Sequence, residues 1–144
     1  AYSMTGWRIG WCKKPDNAEL LDWMLPAPAQ GVIAVIGREE DSEVEELVGL
    51  INHFQTFACA HIERDFMSTI EAGCTAPLGA LCQPHNDGFI FNGALISLDG
   101  QNKILVSRLV SNYQWKDAGS VAARELLNNG GYQLMQEMRY YMVL

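Results

Sequence analysis

Residues 63–80 read ERDFMSTIEAGCTAPLGA, and the period of the apolar pattern changes within them. Phe66 and Ile70 are four apart, the spacing of one helix face. Gly73 is the residue type that ends helices, because without a Cβ it enters the left-handed region freely. From Pro77 onward, PLGALCQPH reads as a strand. A helix therefore hands over to a strand around Cys74.

Downstream, DGFIFNGALISLDG and NKILVSRLVS give two more strands, with Asp99-Gly100 as the hairpin signal between them. Phe89, Phe91 and Leu95 alternate with Ile90, Asn92 and Ile96, so both faces are fairly apolar. The last stretch, about 117–142, reads as helix, interrupted or capped by NNGG at 128–131. Upstream, a helix over about 56–72 is expected, capped by Thr56, with Glu63, Arg64 and Asp65 clustered near its middle and Glu63 and Arg64 as a solvated or salt-bridged face. Residues 54–144 thus read as an α+β unit in which a three-stranded antiparallel sheet packs with helices.

The first third is harder to read as an independent unit. PDNAELLDWML has an N-cap candidate in Asp16 or Asn17. LPAPAQG reads as an extended or turning connector. GVIAVIGRE, 31–39, is a β-branched run expected to form a buried strand. DSEVEELVGLINHF is expected to be a helix, with Ser42 and Glu45 as a capping box and Val44, Leu47, Val48 and Ile51 as its apolar stripe.

The chain has 144 residues, 49% of them hydrophobic, enough for a core without disulfide or metal support. Its four cysteines have irregular spacings and no CxxC pair, which points to reduced thiols in the cytoplasm. A net charge of -7 argues against nonspecific nucleic-acid binding, because counterion release needs a cationic face. No apolar run approaches the length of a membrane span.

Cys74 is the first candidate for chemistry, since loops between rigid elements often carry function. It follows the C-terminal end of a helix, where the dipole does not favour a thiolate. His53, Cys59 and His61 match no common zinc spacing. A Cys74–histidine nucleophile pair with His53, His61 or His85 stays open, as does Arg8 between two tryptophans as an anion or aromatic contact. From residue types alone, a small buried hydrophobe is the plainer account of Cys74.

The quoted run resembles the cofactor-attachment region of the porphobilinogen deaminases, also called hydroxymethylbilane synthases. The family pattern there is Glu-Arg, a hydrophobic residue, then Leu-Glu-Gly-Gly-Cys-x-x-Pro-Ile-Gly. This chain has Glu63-Arg64, Phe66, Ile70-Glu71-Ala72-Gly73-Cys74 and Pro77-Leu78-Gly79. WRIGW, LPAPAQGVIAVIGREED and ARELLNNGGYQLM resemble three further family segments in order. Ala72 and Ala29 stand where the family has glycine.

The resemblance implies a carboxy-terminal part of a three-domain enzyme. Residues 1–53 would be remnants of α/β periplasmic-binding-protein-like domains joined by a linker, with 1–25 from domain two and 32–49 from domain one. Residues 54–144 would be the whole of domain three. It implies a dipyrromethane cofactor bound by a thioether to Cys74, with Arg8 and Gln30 as further cofactor-binding residues. The parent activity would be a transferase of tetrapyrrole (heme) biosynthesis. It deaminates four porphobilinogen units, joins them head-to-tail on that primer and releases hydroxymethylbilane. The implied catalytic aspartate lies upstream of Ala1, so no catalytic residue is assigned and the piece alone is expected to be inactive. The implied partners are porphobilinogen, linear pyrrole intermediates and the amino-terminal domains. The parent is expected to be monomeric, and the piece to self-associate through the unpaired strand at 31–38. The rivals are a noncatalytic α+β interaction module and a cysteine-dependent hydrolase.

Overall fold

The computed structural model describes residues 21, 24–71 and 77–142. The expected helix from Asp16 or Asn17 falls almost wholly outside them.

The domain is organised by one long helix, α2, Phe54–Ile70, preceded by a short helix, α1, Ser42–Gly49. Three strands follow: β1 Leu78–His85, β2 Gly88–Ile96 and β3 Lys103–Ser111. They pair antiparallel in the order β1-β2-β3. Two helices close the domain, α3 Ala118–Leu126 and α4 Tyr132–Met142. The expected α+β architecture of sheet and helices is therefore present.

Alternation along the strands builds the core. Phe89, Phe91 and Leu95 of β2 and Val106 and Val110 of β3 are buried in one cluster with Ile62, Phe66 and Ile70 of α2. Phe66 meets Phe91 edge-on with ring centroids 5.0 Å apart. A Cβ on Gly93 would stand 2.6 Å from the Phe66 ring, so the missing side chain makes room for the aromatic one.

Where α3 crosses α2, Gly119 lies against the backbone of Ile62 and Phe66, and a Cβ there would collide with the Ile62 carbonyl oxygen. Asp117, the α3 N-cap, makes no side-chain capping bond. The carboxylate of Asp65 on α2 takes that role instead, accepting the Ser120 N–H at 2.6 Å. Asp65→Ala is therefore expected to cost about 1–2 kcal/mol, the value of a lost N-cap. Chemical unfolding of the full chain measures it. A change within experimental error would mean that solvent caps α3 equally well.

The interruption at NNGG is real. A π-type turn at Leu127–Gly131 separates α3 from α4, with Gly130 at φ 109. In the β2–β3 hairpin, Gly100 has φ 74, and Asp99 accepts hydrogen bonds from Ser97 Oγ and the Gln101 N–H.

Four local expectations are corrected. Residues 32–38 form no strand. A strand needs a neighbour to take its N–H and C=O groups, and none pairs with this run among the described residues. Ile33, Val35 and Ile36 are exposed as a result. Helix α1 does form, but it buries none of its residues, and its expected stripe faces solvent at Leu47 and Ile51. Its cap is Asp41, whose Oδ1 accepts the Val44 N–H at 3.3 Å, in place of a Ser42–Glu45 box. Helix α2 starts two residues before Thr56, with the His53 ring nitrogen accepting the Thr56 N–H. It ends at Ile70 with Glu71 in the left-handed conformation, before Gly73 is reached.

Candidate functional site

The helix-to-strand junction is held firmly at both ends. Glu71 caps α2 at φ 51 and donates its N–H to Ser68 O at 3.3 Å. On the other side the Pro77 carbonyl accepts the Ile96 N–H at 3.0 Å, and Leu78 stands opposite Leu95. Residues 72–76 lie outside the described residues, so Cys74 itself does too, and so does Arg8. The legs that carry Cys74 are a helix packed in the core and a sheet strand.

The connector runs along the outer edge of β1. Ala80 donates its N–H to the Pro26 carbonyl at 2.9 Å. A Cβ on Gly79 would sit 2.8 Å from Leu25 Cβ and 3.1 Å from the Leu25 carbonyl oxygen. Glycine at 79 thus permits a backbone approach that any other residue would obstruct. The connector then turns, with Gln30 donating to the Ala27 carbonyl at 3.2 Å and Ala29 at φ 56. A Cβ in that region costs about 1–2 kcal/mol. Ala29 therefore carries backbone strain where the resembled pattern has glycine. Gln30 sits within this turn and is exposed.

Glu63 closes the junction. One carboxylate oxygen accepts the Ala29 N–H at 2.6 Å and the other the Cys82 N–H at 2.7 Å. The residue is 6% exposed. Burial pushes its carboxyl above the usual carboxylate range, and the hydrogen bonds from Cys82 and Ala29 oppose that rise. The expectation of a solvated Glu63 face is thus corrected, while Arg64 is exposed as expected. The signal was available in the sequence. Cys59, Glu63, Phe66 and Ile70 follow helical spacing on α2, and all four are buried.

The other candidates are placed elsewhere. Cys59 and Cys82 are buried in the core as free thiols. His53 caps α2, with its Nδ1 2.9 Å from Thr56 Oγ1. His61 Nε2 is 3.0 Å from the Lys116 carbonyl oxygen, and its ring lies edge-on to Trp115. His53, Cys59 and His61 thus have three different sets of partners and do not converge. His85 ends β1, roughly 23 Å along the strand from Leu78 at the rise of an extended chain. His53 and His61 thus have partners of their own, and His85 lies at the opposite end of β1 from Leu78.

These elements define a two-layer α+β domain whose cysteine-bearing junction is latched to an incoming connector. Residues 57–128 match the family described as porphobilinogen deaminase, C-terminal domain. The chain belongs to that family. It is 33% identical over 132 residues to the porphobilinogen deaminase of Carboxydothermus hydrogenoformans, which covers 92% of this chain and 42% of that protein. Similarity to the Exiguobacterium enzyme is 32% over 129 residues, 89% of this chain and 42% of the relative. For the Moorella thermoacetica enzyme it is 36% over 115 residues, 80% and 37%. The chain thus spans about two fifths of the length of these curated relatives.

Proposed function

We propose that this chain is the cofactor-bearing, carboxy-terminal portion of a porphobilinogen deaminase, with Cys74 as the attachment point. The observation that supports the reading is the family match over residues 57–128, a span that includes the junction; in the sequence Cys74 lies between Glu63-Arg64 and Pro77-Leu78-Gly79. Residues 1–25 and 32–49 belong, on this reading, to domains two and one, and 54–144 to domain three. Exposed apolar residues at 32–51 support it, since they are the pattern of elements made to pack against more chain. On this reading copies of the chain associate through residues 31–38, where Ile33, Val35 and Ile36 present exposed apolar side chains.

The cysteine inventory fits a thioether at Cys74. Cys59 and Cys82 are buried in the core, which leaves no room at either sulfur for a group as large as a dipyrromethane. When bound, dipyrromethane supplies the primer to which porphobilinogen units are added head-to-tail before hydroxymethylbilane is released. This chain's own part is to hold and orient. Cys74 anchors, the Glu63 latch fixes the connector, and the connector presents Gln30. Arg8 offers a guanidinium to the carboxylates of the pyrrole chain. The proton transfers of the reaction belong to an upstream aspartate. The reaction runs in the cytoplasm. Among the described residues no helix is long and apolar enough to cross a membrane.

Peptide mass mapping tests the assignment. Co-produced with the amino-terminal portion of a family member, the chain is expected to carry the dipyrromethane mass on the Cys74 peptide alone. Produced by itself it should show a free Cys74 thiol. An adduct on Cys12, Cys59 or Cys82 would overturn the attachment site.

A further inference from the structure

Cys59 and Cys82 have no part in cofactor attachment, yet they are set against each other across two elements. Cys59 lies one helical turn before Glu63 and on the same face of α2. Cys82 donates its backbone N–H to that same Glu63 at 2.7 Å, which holds β1 against this face. Both thiols belong to one buried cluster there, and each is the largest influence on the other's ionisation. Both are free and almost fully enclosed.

We propose that Cys59 and Cys82 form a reversible disulfide when the protein meets a hydroperoxide, stapling α2 to β1 across the base of the segment that carries Cys74. The roles divide by environment. The S–H donated by Cys82 favours a thiolate on Cys59, while burial and the Glu63 carboxylate oppose it. On Cys82 the contact with Cys59, then burial, hold the thiol protonated. Cys59 is therefore the attacking sulfur and Cys82 the resolving one. The Cys59 thiolate attacks the peroxide and takes one oxygen, and with one proton this gives a sulfenic acid and releases the alcohol or water. Cys82 sulfur then displaces that oxygen as water. The peroxide is reduced by two electrons, and the two thiols lose them.

Burial slows the reaction, but the pair needs no second protein. The staple would tie together the two legs that position Cys74 without consuming its thiol.

The test treats the full chain with hydrogen peroxide, alkylates it under denaturing conditions and digests it without reductant. The expected result is a linked Cys59–Cys82 peptide and an intact mass lower by two hydrogens. Dithiothreitol should reverse both, with far-UV circular dichroism unchanged throughout. Cys82→Ala should stop at a sulfenic acid on Cys59 that dimedone captures. If that variant fails to fold, the linked peptide from the unaltered chain still decides. Recovery of Cys59 and Cys82 as free thiols would overturn the proposal. So would linkage of either to Cys12 or Cys74, or a link that forms only as the circular dichroism is lost.

Discussion

Glu63→Ala is expected to lower the unfolding free energy by about 2–4 kcal/mol, because it strands two backbone donors at once. Cys82 N–H is buried and Ala29 N–H is half-buried, and each has a Glu63 oxygen as its partner. A loss of that size is a large share of the roughly 5–15 kcal/mol that holds a typical domain folded. Glu63→Gln should cost less. Its carbonyl oxygen still accepts from one amide, but its NH2 then faces the other N–H, donor against donor. Urea unfolding gives the magnitudes, and amide exchange at Ala29 and Cys82 reports whether the connector has come loose. Unchanged protection at both amides would remove Glu63 as a latch.

The same residue sets a pH dependence. Burial raises the Glu63 carboxyl in the folded chain above its unfolded value. The folded state then binds the proton more tightly than the unfolded one in the interval between those two values. Stability from this group falls as pH rises through that interval and is constant above it. Glu63→Gln should flatten this part of the stability profile. A slope that is identical in the two proteins would assign it to other carboxylates.

Most of the domain was legible because its period is written in residues that pack on one another. Phe66 and Ile70 mark the buried face of α2, and Phe89, Phe91 and Leu95 mark that of β2. The NNGG break was legible because glycine tolerates the φ of 109 that Gly130 adopts. The run at 31–39 misled for a physical reason. A β-branched sequence states what a segment forms when a strand lies beside it, and no described strand pairs with residues 32–38. Glu63 was misread because charge outweighed position. It sits on the buried stripe of α2, and a carboxylate there signals a partner that local sequence does not name, here the amides of Ala29 and Cys82. Asp65 escaped for the same reason, since its partner Ser120 lies across a helix crossing. Cys74 was singled out by the resemblance, because its residue type and context alone do not separate an anchor from a core thiol.

On the proposed function the chain alone should neither consume porphobilinogen nor form hydroxymethylbilane. Each addition needs proton transfers to and from the pyrrole and the leaving amine, made beside a cationic cleft. The residues described here provide a latch, a connector and the legs of the anchor. Their one buried carboxylate, Glu63, is occupied by two backbone amides and is not free to serve as an acid or base. Supplying the amino-terminal portion of a family member should restore turnover. In that restored enzyme Cys74→Ala should abolish primer retention and with it activity, because the thioether then has no sulfur to form on. Cys59→Ala should leave the primer on Cys74 and cost only packing, about 1–2 kcal/mol for a small buried group. Porphobilinogen consumption, with the mass of the retained primer as a parallel readout, separates the two variants. Robust turnover by the purified chain with no other protein present would show that the catalytic groups lie within these 144 residues after all. Full activity in Cys74→Ala would remove the anchor from its assigned place.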